Sequence, residues 1–77
     1  KFYPRDDERN QRLLLFCERA VGECAPRERK LLEEALDVFE HSMSSGDREL
    51  FANARRGLLL LLAELGMTYD EADVDGG

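Results

Sequence analysis

The sequence predicts an all-α chain, folded as an antiparallel up-down-up three-helix bundle with a disordered acidic C-terminal tail. Three observations carry this expectation. Apolar residues recur at steps of three and four in three separate segments of the 77-residue chain, which is the period of an amphipathic helix. Each segment is bounded by residues that start or stop helices: Asp6 and Asp7, then Pro26, then Ser44-Ser45-Gly46-Asp47, and finally Gly66. Charged residues of both signs make up 36% of the chain and only 2 residues are proline, a composition suited to helices with solvated outer faces. There is no alternating strand pattern and no internal repeat.

Residues 1–5 read as an extended lead-in, because Tyr3 precedes Pro4 and the residue before a proline is pushed out of the helical region. Asp6 or Asp7 can cap the helix that follows, where acidic groups favour the positive end of the helix dipole. Leu13, Leu14, Cys17, Ala20, Val21 and Cys24 then fall in a stripe about 120° wide, which predicts a first helix over residues 6–24. Asn10 lies on the same stripe one turn ahead of the apolar positions, so it needs a backbone or side-chain partner.

Pro26 suits the first turn of a second helix, where its missing N–H has no partner to lose. Leu31, Leu32, Ala35, Leu36, Val38, Phe39 and Met43 form the apolar stripe of that helix. Glu33, Glu34, Asp37, Glu40 and His41 fill its other side, and the pattern runs over residues 26–44. Gly46 can take the left-handed conformation that ends a helix, and Asp47 can cap the next one. So short a link lays the two helices side by side and antiparallel. The third helix spans residues 47–65, with Leu50, Phe51, Ala54, Leu58, Leu61, Leu62 and Leu65 on its buried side. Gly57 costs it roughly 1 kcal/mol relative to alanine. Gly66 is the expected stop, which makes residues 1–66 the three-helix unit. Thr68 and Glu71 have capping-box spacing. Even so, residues 67–77 read as a flexible tail, because Asp70, Glu71, Asp73 and Asp75 outnumber its apolar side chains beyond Tyr69.

Composition narrows the function classes. Eleven basic and 17 acidic side chains give a net charge of −6, a poor balance for binding duplex nucleic acid. The acids around Arg5, Arg9, Arg12, Arg19, Arg27, Arg29 and Lys30 cancel most of their field, and Arg55 and Arg56 make only a small basic spot. The longest apolar run, residues 58–63, falls far short of the roughly 18 residues a membrane span needs. Cys17 and Cys24 sit seven apart, about 10 Å along a helix, too far to bridge. They read as small buried hydrophobes in a reducing compartment, and with no signal-peptide pattern the expected location is the cytoplasm. His41 is the only histidine, so a zinc site lacks ligands, and neither His41 nor Cys17 has the partner that acid–base or nucleophilic catalysis requires. The glycines are too widely spaced for a phosphate loop. The expectation is therefore no catalytic, cofactor or metal residue. The first residue is Lys1 rather than Met, so the expected chain is a piece of something longer.

Two residues stand out as candidate partner contacts. Leu15 lies opposite the apolar stripe of the first helix and Leu60 opposite that of the third, while Phe16 and Leu59 sit at stripe edges. Scattered exposed leucines are normal on a folded domain; the other reading is that these two make contact with a missing domain or with a second copy of the chain.

A family resemblance is carried by named residues. They are the run Leu32-Glu33-Glu34-Ala35-Leu36-Asp37-Val38-Phe39-Glu40, then Ser45-Gly46-Asp47, then Ala54-Arg55-Arg56-Gly57-Leu58. Upstream, Tyr3-Pro4-Arg5-Asp6, Asn10, Leu13-Leu14 and Glu18-Arg19 extend it over nearly all the patterned chain. This resembles the α-helical lid that ends the substrate-binding region of DnaK-type, seventy-kilodalton heat-shock chaperones, in the short-lid, HscC-like branch. The resemblance implies an ATP-regulated parent that binds exposed hydrophobic segments of unfolded client proteins. The lid covers the peptide groove and slows client release. The partners implied are the remainder of the chaperone and its clients, and ATP belongs to the parent alone. The family's ATP-contacting and peptide-contacting residues have no counterparts in this sequence. The alternative reading is an independent three-helix adaptor, dimeric through Leu15 or Leu60.

Overall fold

The computed structural model describes residues 2–69. Among them the chain forms a short 3-10 turn, η1 (Pro4–Asp6), and three α-helices: α1 (Glu8–Val21), α2 (Pro26–Met43) and α3 (Arg48–Glu64). No strand occurs among the described residues. The all-α three-helix bundle is therefore the observed architecture.

Each boundary has a local cause. The Asp7 carboxylate accepts from the Arg9 N–H at 2.8 Å and caps α1. Asp6 is drawn instead into η1, where Pro4 supplies a preset φ. The lead-in therefore turns rather than staying extended. Helix α1 stops at Val21, short of residue 24, because Gly22 has low helix propensity and Ala25 is held extended by Pro26 (φ −64°, ψ 156°). Cys24 nonetheless stays buried in the core, in a turn held by Glu23 N–H to Ala20 O at 2.9 Å. The Arg29 guanidinium donates to the Val21 and Cys24 carbonyls at 3.1 and 3.4 Å. It thereby satisfies the open carbonyl end of α1 from the first turn of α2.

The α2–α3 turn follows the expected chemistry. Gly46 takes φ +77°, and the Asp47 carboxylate accepts from the Glu49 and Leu50 N–H groups at 3.0 and 3.1 Å. At the other end of α3, Gly66 again takes φ +77°. Gly66 N–H reaches Ala63 O at 3.0 Å and Met67 N–H reaches Leu62 O at 2.9 Å, the paired bonds of a Schellman motif. That motif turns the chain back. Met67 and Tyr69, assigned to the tail from sequence, pack against the core instead. The remaining tail positions, 70–77, and the Glu71 half of the Thr68–Glu71 spacing lie outside the described residues; through Tyr69 no further helix forms.

The core takes Leu13, Cys17 and Ala20 from α1, Leu32, Leu36, Phe39 and Met43 from α2, and Phe51, Leu58 and Leu62 from α3. Phe39 is fully buried, its ring 5.5 Å from that of Phe51. Three residues expected inside are not. Leu31, Val38 and Leu50 are 47%, 55% and 40% exposed. A helix in a bundle of three buries only the arc facing its neighbours, and these side chains sit past its edge. Two polar side chains are buried, each with its partner: Ser42 donates to Phe39 O at 2.6 Å, and Asn10 bonds on both sides of its amide.

Candidate functional site

The polar joints that hold α1 onto the α2–α3 hairpin set the shape of the surface. Asn10 donates to Pro4 O at 2.9 Å and accepts from Arg55 Nε at 2.7 Å. This is the partner that its place on the apolar stripe demanded. Arg5 donates to Glu40 O at 3.1 Å and to Ser44 Oγ at 3.0 Å, placing its charge against the carbonyl end of α2. Phe2 meets the edge of Phe51 with centroids 5.5 Å apart, and the Arg48 guanidinium lies 4.7 Å above the Phe2 ring.

On this frame Leu15 and Leu60 are 62% and 60% exposed. They line different depressions. Leu60 borders a shallow open hollow of about 450 Å³ on α3, with Phe51, Ala52, Arg55, Arg56 and Leu59. Leu15 borders a smaller one of about 260 Å³ with Arg12, Phe16, Arg19 and Tyr69. In the second, the Phe16 and Tyr69 rings stand 4.8 Å apart. Neither hollow has a carboxylate in its lining. Both combine apolar side chains with two arginines, whereas Glu33, Glu34, Asp37 and Glu40 crowd α2. Each hollow is thus a small apolar spot with arginines at its edge, and on α1 one of them, Arg12, pairs with Glu8 at 3.4 Å.

The groups with chemical potential stand apart from these hollows. His41 is exposed at the end of α2. Among the described residues no three His, Cys, Asp or Glu side chains gather as metal ligands, and no helix is long and apolar enough to cross a membrane. Cys17 and Cys24 are buried and unbridged. Burial, reinforced by the neighbouring Glu18 carboxylate, pushes the Cys17 thiol up to about 12, so at neutral pH it is a thiol and not a nucleophile.

Sequence reasoning missed several of these placements. The apolar stripe marked Asn10 as needing a partner but gave no sign that Arg55, 45 residues away, supplies it. The two capping arginines, Arg5 and Arg29, read only as charge. Tyr69 carried a signal in the helix-stopping Gly66, since a Schellman turn directs the following chain back over its own helix.

Comparison with known proteins adds no relative: no family model, no curated protein and no solved structure matches the chain.

Proposed function

We propose that this chain is the C-terminal helical lid of a DnaK-like molecular chaperone, gating the binding of unfolded client peptides in an ATP-regulated parent. One observation carries the reading. Several of the residues on which the sequence resemblance rests are also ones that the fold uses as joints. Gly46 and Asp47 make the hairpin turn, Phe39 fills the core, and Arg5 and Asn10 fasten the first turn to α2 and α3. Helix amphipathicity alone accounts for Phe39 and the leucines; it does not account for a Pro-Arg-Asp turn, an asparagine and an arginine placed where three elements meet.

Such a lid works by contact and not by chemistry. Closed, it adds interactions above the bound peptide and lengthens its residence; open, it removes them, and ATP in the parent shifts the balance between the two states. The chain itself supplies a stiff body whose outer surface carries small apolar spots edged by arginines. The test is a graft. A lidless DnaK-type chaperone carrying this chain at its C-terminus is compared with the lidless parent for dissociation of a fluorescent hydrophobic peptide. Slower release with the graft is expected. Release as fast as from the lidless protein refutes the reading, as does ATP turnover by the purified 77-residue chain.

A second reading, an independent interaction module, is favoured by the hollows beside Leu15 and Leu60, which are complete within this chain. The reading frame upstream of Lys1 separates the two: a lid follows a β-rich segment and a nucleotide-binding domain, and an adaptor does not.

A further inference from the structure

Leu31 and Val38 belong to the apolar pattern of α2 but not to its core. On the exposed side of that helix they alternate with polar and charged groups: Arg27, Leu31, Glu34, Val38 and His41 follow one another at steps of four and three, all exposed. This is the spacing of a coiled-coil seam, set on the outside of the molecule. The exposed side of α3 carries a seam of opposite central sign. Glu49, Ala52, Arg56, Leu60 and Glu64 follow at steps of three and four, again all exposed. Ala52, Arg56 and Leu60 line the hollow described above.

The two seams are complementary. With Glu34 set opposite Arg56, the apolar positions lie about 6 Å along, or about 4.5 Å for Leu31, since three or four residues rise that far. Val38 then reaches Leu60 or Ala52, and Leu31 reaches the other. Arg27 and His41 fall beside Glu49 and Glu64, at seven or eight residues from the central pair. The central Glu34–Arg56 pair is the same in parallel and antiparallel approach alike. Arg56 is free to take part, as its Nη1 contact to Asn53 at 3.1 Å is an exposed bond within one helix turn.

We propose that the α3 seam of one copy docks the α2 seam of a second copy, with Glu34 and Arg56 paired at its centre. The occupant is another copy because this chain itself presents the acidic, apolar counterpart of its own basic hollow. The seams lie on different helices, so a copy bound through one still offers the other. The interface is head-to-tail and assembly continues with concentration. This inference does not rest on the lid reading, and the client-release graft does not test it.

The test is sedimentation of the full chain from about 10 μM to about 1 mM, the range of weak protein contacts, near physiological salt so that the net charges of the copies are screened. The average mass of the unmodified chain is expected to rise with concentration. Glu34→Arg and Arg56→Glu, at exposed positions, are each expected to weaken association about tenfold or more by setting like charges face to face. The combined Glu34→Arg/Arg56→Glu chain is expected to associate as the unmodified one does, as is an equimolar mixture of the two single variants. Helical circular dichroism identical to that of the unmodified chain establishes that each variant folds. A mass that stays monomeric across the range, or single reversals that associate as before, or a double reversal that fails to restore assembly, overturns the proposal.

Discussion

Replacing Asn10 by alanine tests the joint that fastens α1 to the rest of the molecule. The Asn10 side chain is 4% exposed and makes two bonds of different kinds. Its amide N–H to Pro4 O, 2.9 Å, is a buried neutral bond, worth about 0.5–1.5 kcal/mol net. Its carbonyl oxygen accepts from the Arg55 guanidinium at 2.7 Å, a charge-assisted bond of about 1.5–3 kcal/mol. The Arg55 end is only part-buried, which places this contribution in the lower half of that range. Asn10→Ala is therefore expected to cost about 2–4 kcal/mol, a large share of the roughly 4–12 kcal/mol expected of a domain this size. Urea unfolding followed by helical circular dichroism measures the loss, with an unchanged slope showing that the unfolded state is unaffected. Arg55→Met completes a double-mutant cycle, with a coupling energy of about 1.5 kcal/mol expected between the two sites. A cost below about 0.5 kcal/mol, or effects of Asn10→Ala and Arg55→Met that simply add, would falsify the view that this joint holds α1 in place.

Two further changes probe the core. Phe39→Ala removes the largest fully buried side chain, packed on Phe51, and is expected to cost about 3–5 kcal/mol; an unchanged thermal midpoint shows the core to be centred elsewhere. The Cys17 thiol titrates near its ordinary 9.0 when unfolded but near 12 when buried. Between those values the unfolded chain binds fewer protons, so stability is complete below pH 9 and falls as pH rises. At pH 10 the loss from this group is about 1.4 kcal/mol. Stability measured against pH for the unmodified chain and for Cys17→Ala, which lacks the titrating group, isolates this share; parallel curves between pH 8 and pH 11 contradict it.

The helices and their stops were legible because each rests on local chemistry. Gly46, Asp47 and Gly66 do what their residue types dictate at those positions, and the observed α2 and α3 begin and end within a residue or two of the patterned segments. Burial was legible only in part. Periodicity ranks the positions around one helix, but it cannot say how wide an arc the neighbours cover. Leu31, Val38 and Leu50 were therefore placed inside, while Leu15 and Leu60, at the far side of their helices, were correctly placed outside. Of the joints, only Asn10's need for a partner was legible, and none of the partners was. Arg5 to α2, Arg29 to the end of α1 and Arg55 to Asn10 each depend on where another element lies, and an arginine that caps a distant carbonyl has the same sequence surroundings as one that faces water.

The distribution of these joints bears on how a lid of this construction would move. A gate has to travel as one body, or its opening dissipates in internal bending. The α2–α3 hairpin is stiffened by apolar packing and by its capped turn. Helix α1 contributes fewer large side chains to the core, with Cys17 and Ala20 in place of leucines. Its attachment is completed instead by directional polar bonds at both ends: Arg5 and Asn10 at its start, Arg29 at its finish. Directional bonds fix orientation where a small apolar contact would allow sliding. With η1 bonded to both α1 and α2, a gate built this way would move from Pro4 to Met67 as one body. Loosening the Asn10 joint should therefore do more than reduce stability. It should uncouple the entering chain from the hairpin, so that in the graft the peptide escapes faster at temperatures where the bundle is still folded.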